Sequence, residues 1–309
     1  METVSSVPVF ARRNVAYAGA TLCCLLWGSS YPAIKSGYEL FAIATDDIPS
    51  KIVFAGYRFL FAGLLLLLFA MAQRKPIARL RPQQYGQIAI LGLTQTSIQY
   101  IFFYIGLAFT TGVKGSIMNA TGTFFSVLLA HLIYKNDRLS YNKSIGCVLG
   151  FAGVMLVNVN HSLLDFSFSM MGDGFVVLAA FILSASMLYG KRISQTVDPT
   201  VMTGWQLAFG GGVLVVGGYL TGGTLVVHSM TAAALLGYLT LLSSIAFALW
   251  SVLLKYNRVS MIAPFNFVIP VAGTVLSAIF LGENILEMKY AIALVLVCTG
   301  IWWVNKPKA

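Results

Sequence analysis

Residues 134–157 read YKNDRLSYNKSIGCVLGFAGVMLV, and residues 281–305 read LGENILEMKYAIALVLVCTGIWWVN. Each is a short polar turn that leads straight into an apolar run. Sliding the chain by 147 positions lays one on the other without a gap: Leu139 falls on Leu286, Gly153 on Gly300, and Val157-Asn158 on Val304-Asn305. The same offset carries Thr96-Ser97 onto Ser243-Ser244 and Asn119 onto Asn266, and one residue more carries Tyr57-Arg58-Phe59 onto Trp205-Gln206-Leu207. Apolar runs match each other by chance, so the weight rests on the coincident polar residues. The chain is read as two copies of one unit.

The solvent for that unit is lipid. Of the 309 residues, 58% are hydrophobic and only 10% are charged, whereas a soluble domain carries about a quarter charged residues. Crossing about 30 Å of hydrocarbon takes roughly 20 apolar residues, and such runs fall at 15–36, 53–72, 85–107, 113–134, 144–160, 173–192, 201–221, 231–254, 260–281 and 288–304. Their length argues for helices rather than barrel strands, which would alternate over about ten residues. The expected fold is an all-α integral membrane protein of ten transmembrane helices, with a tail at 1–14 and five-helix repeats at 15–160 and 173–305. Five is odd, so the second copy enters the membrane from the other side. That makes an inverted repeat, an arrangement that places a solute site near the midplane.

Charge positions support the count. Arg12 and Arg13 precede the first span, and Arg74, Lys75, Arg79 and Arg81 follow the second. Lys135, Arg138 and Lys143 follow the fourth, Lys191 and Arg192 the sixth, Lys255 and Arg258 the eighth, and Lys306 and Lys308 the tenth. The alternate junctions hold only Lys51, Lys114 and Lys289, with most of the acids: Glu39, Asp46, Asp47, Asp165, Asp173, Glu283 and Glu287. By the positive-inside rule the protein sits in the cytoplasmic membrane with both termini cytoplasmic. The net charge of +10 is therefore a topology signal, and no nucleic-acid partner is expected. The first run is too long for a signal-peptide core and is read as a retained helix. Cys23, Cys24, Cys147 and Cys298 lie inside spans and are read as small apolar residues.

The stretch WGSSYPAIK at 27–35, the YRF at 57–59 and the two turn-and-helix segments quoted above resemble the drug/metabolite transporter superfamily, specifically its EamA-type ten-helix members. The resemblance covers about residues 15–305 and is specific for fold, not for solute. It implies a carrier: members export amino acids or other metabolites, move nucleotide sugars or sugar phosphates, or take up sugars. The acidic residue usual after the fourth span is represented by Asn136-Asp137, while Glu283 keeps it in the second repeat. That departure falls in a loop, away from the expected cavity.

Candidate site residues follow from polarity at depth. Trp27, Tyr31 and Lys35 stand four apart on one helix face, beside the kink expected at Pro32. Lys35 either snorkels from the helix end to the headgroups or faces a cavity. Arg58 lies about two turns from the surface, where an intramembrane cation normally faces water or a partner. Their repeat counterparts are Arg192 and Gln206. Gln95, Gln99, Asn119 and Asn266 are amides costly to bury, while Thr96, Ser97, Ser243 and Ser244 are equally well read as bonds between helices. The helices that the resemblance places around a central cavity also carry Tyr57, Tyr100, Phe103, Tyr104, Trp205 and Trp250. These rings are either cavity walls or interface belts.

None of the ten Asp and Glu residues falls in the middle third of a span, which argues against organic cations and favours neutral, zwitterionic or anionic solutes. The expected function is a secondary transporter that moves a small organic metabolite, such as an amino acid, by alternating access and as an exporter. The alternative is an intramembrane enzyme or sensor subunit without net transport. No Ser-His pairing, metal-ligand spacing or nucleotide motif appears, so no enzyme activity, cofactor or metal is expected. The expected partners are the solute and the lipid bilayer. One chain suffices to enclose a path, and oligomeric state is left open.

Overall fold

A computed structural model of the chain describes residues 8–110, 115, 118–157, 168–281 and 288–306. Lys114, Asn158, Asp165, Glu283, Glu287 and Lys308, named above, lie outside the described residues. Among those described, ten helical rods follow in order. They are α1 (Arg13–Leu40), α2 (Ile48–Ala72), α3 (Pro82–Ala108), α4 (Met118–Ile133), α5 (Tyr141–Val157), α6 (Met170–Ile193), α7 (Pro199–Leu220) and α8 (Met230–Tyr256). α9 comprises Val259–Ile262, a 3-10 turn at Ala263–Phe267 and Val268–Leu281, and α10 is Met288–Val304.

Local chemistry sets the boundaries. Asp47 caps α2 by accepting from Ser50 N, Asp198 caps α7 by accepting from Thr200 N and Val201 N, and Ser229 caps α8 through Ala232 N. Proline stands in the first turn of α2, α3 and α7, where its missing N–H costs nothing. The start of α1 and the end of α10 come together, with Arg13 Nη2 donating to Asn305 O at 2.5 Å. That face is termed the terminal side and the opposite one the distal side.

The repeat shows in the packing. α2 crosses α7 so closely that a Cβ on Gly63 would lie 2.2 Å from Ala208 N and 2.5 Å from Gly204 O, and one on Gly211 would lie 2.3 Å from Leu60 N and 2.9 Å from Gly56 O. Gly56 and Gly63 correspond to Gly204 and Gly211 in the repeat, so these two contacts exchange under a two-fold axis between antiparallel helices. α5 and α10 do the same: Gly146 meets Gly300, and Gly153 meets Ala293. Small residues let the backbones approach, as helix association in lipid requires. Polar contacts obey the same symmetry. Arg58 Nε on α2 donates to Ser243 Oγ on α8 at 2.7 Å, and Gln206 Nε2 on α7 donates to Thr96 Oγ1 on α3 at 2.7 Å.

Candidate functional site

One face of α1 builds the first wall of a central cavity of about 470 Å³. Trp27, Ser30, Tyr31, Ile34, Lys35 and Tyr38 recur at helical spacing, and all six line it. Pro32 lies inside this helix and is buried. Gln99, Tyr100, Phe103, Tyr104 and Leu107 form the second wall from the distal half of α3; α4, α6, α8 and α9 complete it. On α1, α3 and α4 the lining positions run from mid-helix toward the distal ends, while on α6, α8 and α9 they lie near mid-helix or in the terminal half. α1 continues to Leu40, so Lys35 stands more than a turn inside its helix, and it lines the cavity rather than only capping an end.

Arg58 is the charged pole of this space. It lines the cavity yet is only 3% exposed. Its Nε is used by Ser243, whose hydroxyl in turn donates to Leu239 O at 2.8 Å, and the guanidinium rests 5.1 Å from the centre of the Phe59 ring. Neither terminal guanidinium nitrogen has a hydrogen bond or ion pair among the described residues. Tyr38, Tyr100 and Tyr104 stand close enough to feel its charge. No described Asp or Glu lines the cavity. A cation and phenol hydroxyls on a largely apolar wall can hold an anionic group and leave the rest of a solute to stack on Trp27, Phe103 and Phe247.

Asn119 and Asn266 reach the cavity where their helices are irregular, at the turn residue Thr121 in α4 and at the 3-10 turn of α9. Asn266 Oδ1 and Gln99 Oε1 are buried with no hydrogen-bond partner among the described residues. An unmade bond of this kind costs about 1–3 kcal/mol, which a donor from a solute or a rearranged helix would recover. Gln99 follows the π-turn Leu93–Ile98 of α3, a distortion frequent at functional sites.

Eight of the expected residues therefore meet: Trp27, Tyr31, Lys35, Arg58, Gln99, Tyr100, Asn119 and Asn266. Four do not line this cavity. Gln206 is consumed by Thr96 between helices, and Gln95 is buried beside Gly190 of α6. Trp205 donates Nε1 to Ile77 O at 3.0 Å and packs edge-on to Tyr85 on the terminal side. Trp250 supports Trp27 from behind, ring centres 5.1 Å apart. Arg192, the positional counterpart of Lys35, lines a separate cavity on the terminal side. Tyr38, Phe247 and Met187 line the central one without having been expected to. The register of Tyr38, eleven residues after Trp27, was the available signal.

Asp137 is the other residue that the sequence undervalues. Although it belongs to the α4–α5 turn, it is 2% exposed. One oxygen accepts from Lys143 Nζ at 2.8 Å and from the Ser260 hydroxyl, and the other accepts from Ser260 N at 3.0 Å. Burial pushes its pKa up, but the hydrogen bonds from Lys143 and Ser260 outweigh it and hold the carboxyl below its ordinary value. A turn of the first repeat is thereby tied to the α8–α9 junction of the second. His131 Nδ1 accepts from Leu139 N at 3.0 Å in the same turn, so it has a structural partner.

Ten helices among the described residues, five of them long and apolar enough to cross a membrane and three more short and apolar, around an interior cavity with charged and amide lining define a multi-pass membrane protein. The chain belongs to the EamA-like transporter family, which matches residues 14–159 and 170–306, the two repeats in turn. It is 26% identical over 295 residues to a Salmonella typhimurium protein named "Probable amino-acid metabolite efflux pump", covering 92% of each chain. It is 28% identical to the uncharacterized transporter YvbV of Bacillus subtilis, over 92% of this chain and 90% of that one. An uncharacterized transporter of Archaeoglobus fulgidus is 26% identical over 85% and 88% of the two chains. A solved crystal structure superposes with a TM-score of 0.78 at 18% identity, over 94% of this chain and 96% of that one, and shares the fold.

Proposed function

We propose that the protein is a secondary transporter of the cytoplasmic membrane that exports a small amphipathic metabolite bearing a carboxylate, such as an amino acid, by alternating exposure of the central cavity. The observation that carries the reading is Arg58: a buried cation that lines the cavity with no carboxylate paired to it among the described residues. A buried charge is normally paired, and in a transporter the partner can be the cargo. Lys35 adds a second cation on the distal side of the same space. The Salmonella relative's name supports an amino-acid metabolite and outward movement. The basic junctions support both termini being cytoplasmic, which makes the distal side the outer one.

The test is a thermal-shift screen of purified protein against amino acids, carboxylates, sugar phosphates and organic cations, followed by counterflow of the stabilising solute in proteoliposomes. Stabilisation by carboxylates with saturable counterflow is expected. Stabilisation by organic cations alone, or binding without counterflow, would overturn the reading.

A further inference from the structure

A second cavity, about 480 Å³, opens on the terminal side between the ends of α6 and α8 and the α4–α5 turn. Lys191, Arg192, Lys255 and Arg258 line it, together with one carboxylate, Asp137. Both oxygens of that carboxylate are already engaged by Lys143 and Ser260, so the pocket keeps an excess of positive charge. All four cations line one hollow, with Arg192 and Arg258 exposed and Lys191 and Lys255 half-buried. Lys191 is drawn inward, where its ammonium donates to the carbonyls of Leu254 and Asn257 and lies 5.7 Å from the centre of the Tyr134 ring. The guanidinium groups of Arg192 and Arg258 have no hydrogen bond or ion pair among the described residues.

The two cavities share their walls. On α6, Leu183, Ser184 and Met187 face the central cavity, and Lys191, four residues on and on the same helix face, lines the second. Thr123 and Ser126 of α4 line the first and Tyr134, just past the end of that helix, the second, and on α8 the order is Phe247 and then Lys255. Between the cavities lies an apolar plug that includes Ala130, Leu188, Leu254 and Ile262, all buried. Tyr134 stitches it by donating its hydroxyl to Leu188 O at 3.2 Å.

We propose that the terminal-side pocket is a second binding station on the same path, taking the carboxylate or phosphate group of an organic solute before the plug opens toward Arg58. This rests on the transport reading above. Four cations at a concave mouth raise the local concentration of anions, which suits a carrier whose inner pole is also cationic. An anionic phospholipid headgroup has the same chemistry, so the test separates the two sources.

The experiment uses the full chain in detergent with Cys298→Ser, since Cys298 is exposed and the other three cysteines are buried. Gln195→Cys, at the pocket wall, is modified with anionic and cationic methanethiosulfonate reagents, with 3-phenylpropionate, 3-phenylpropanamide or phosphatidylglycerol as competitors. The anionic reagent is expected to be favoured about tenfold relative to a free thiol, and the preference should collapse in Lys191→Ala/Arg192→Gln. 3-Phenylpropionate is expected to protect the thiol while the amide does not, and protection should survive Arg58→Gln, which disables only the central pole. Protection by phosphatidylglycerol but not by 3-phenylpropionate assigns the pocket to lipid and overturns the proposal. Absence of both charge preference and protection reduces the cations to topology signals and overturns it as well. Absence of 3-phenylpropionate binding at the central cavity of the protein that retains Arg58, with protection here intact, would count against the central-site reading alone.

Discussion

Arg58→Gln separates the structural half of the arginine from its charged half. Arg Nε and Gln Nε2 are the same number of bonds from Cα, so glutamine at position 58 keeps a donor where Arg58 now bonds Ser243 Oγ at 2.7 Å. Its repeat counterpart Gln206 already makes that bond, to Thr96 at the same 2.7 Å. What disappears is the guanidinium head with its two terminal nitrogens and the desolvation cost of an unpaired buried charge. Folding stability should therefore stay within about 1 kcal/mol, the worth of one neutral hydrogen bond. Binding should not. Truncating one side of a buried charge pair costs about 2–5 kcal/mol, and the low end corresponds to about a thirtyfold rise in Kd. Titration calorimetry in the Lys191→Ala/Arg192→Gln background, which removes the terminal-side station, with 3-phenylpropionate and its neutral isostere 3-phenylpropanamide measures the difference: at least about thirtyfold weaker for the acid and less than about threefold for the amide. Equal losses for both ligands, or an unchanged Kd for the acid, would refute the assignment of Arg58 as the anion pole.

Four further outcomes follow from the same geometry. Lys35→Ala should slow counterflow of a carboxylate solute more than that of a neutral analogue with little loss of folded yield, and unchanged rates and solute preference would return Lys35 to headgroup snorkelling. Gly63→Ala forces α2 off α7, because the new Cβ meets backbone atoms at 2.2 Å and 2.5 Å. It should cost about 1–3 kcal/mol and lower the thermal midpoint, whereas Gly212→Ala, with nothing within 4 Å, should not. Asp137 has a depressed folded pKa, so its stabilisation is complete above the unfolded value of about 4 and is lost as pH falls through the folded one. Asp137→Asn should flatten the fall of thermal midpoint between about pH 5 and 2, and an unchanged acid limb would show that the carboxylate carries no net stabilisation. In the Cys298→Ser background, cysteines at Asp46 and Ser169 should react with an impermeant thiol reagent outside intact cells while one at Gln83 does not, and the reverse pattern would invert the orientation.

The ten-helix fold was legible because two independent periodicities agree in the sequence: cations at every second junction, and polar residues that coincide at one offset. Neither depends on side-chain contacts. Details that depend on packing were not legible. The 3-10 turn at Ala263–Phe267 and the π-turn at Leu93–Ile98 leave no signature in hydropathy, beyond the proline at 264. Asp137 reads as an ordinary loop acid, since nothing local reveals that a serine 123 residues later will close over it.

The central site was legible along α1, where one stripe fixes both depth and direction, and less so where depth came from repeat symmetry. Symmetry equates Arg58 with Gln206 and Lys35 with Arg192, which invites placing all four in one cavity. A single conformation of an inverted repeat breaks that equivalence. Arg58 lies in the distal half of its helix and lines the central cavity, whereas Gln206 lies in the terminal half of α7, bonded to Thr96 between helices and away from that cavity. The two polar pairs are related by the fold, but only one borders open space. Residues of matching chemistry in the two repeats therefore need not border the same cavity, and the buried Gln206–Thr96 pair is the counterpart of Arg58–Ser243 without the central cavity beside it.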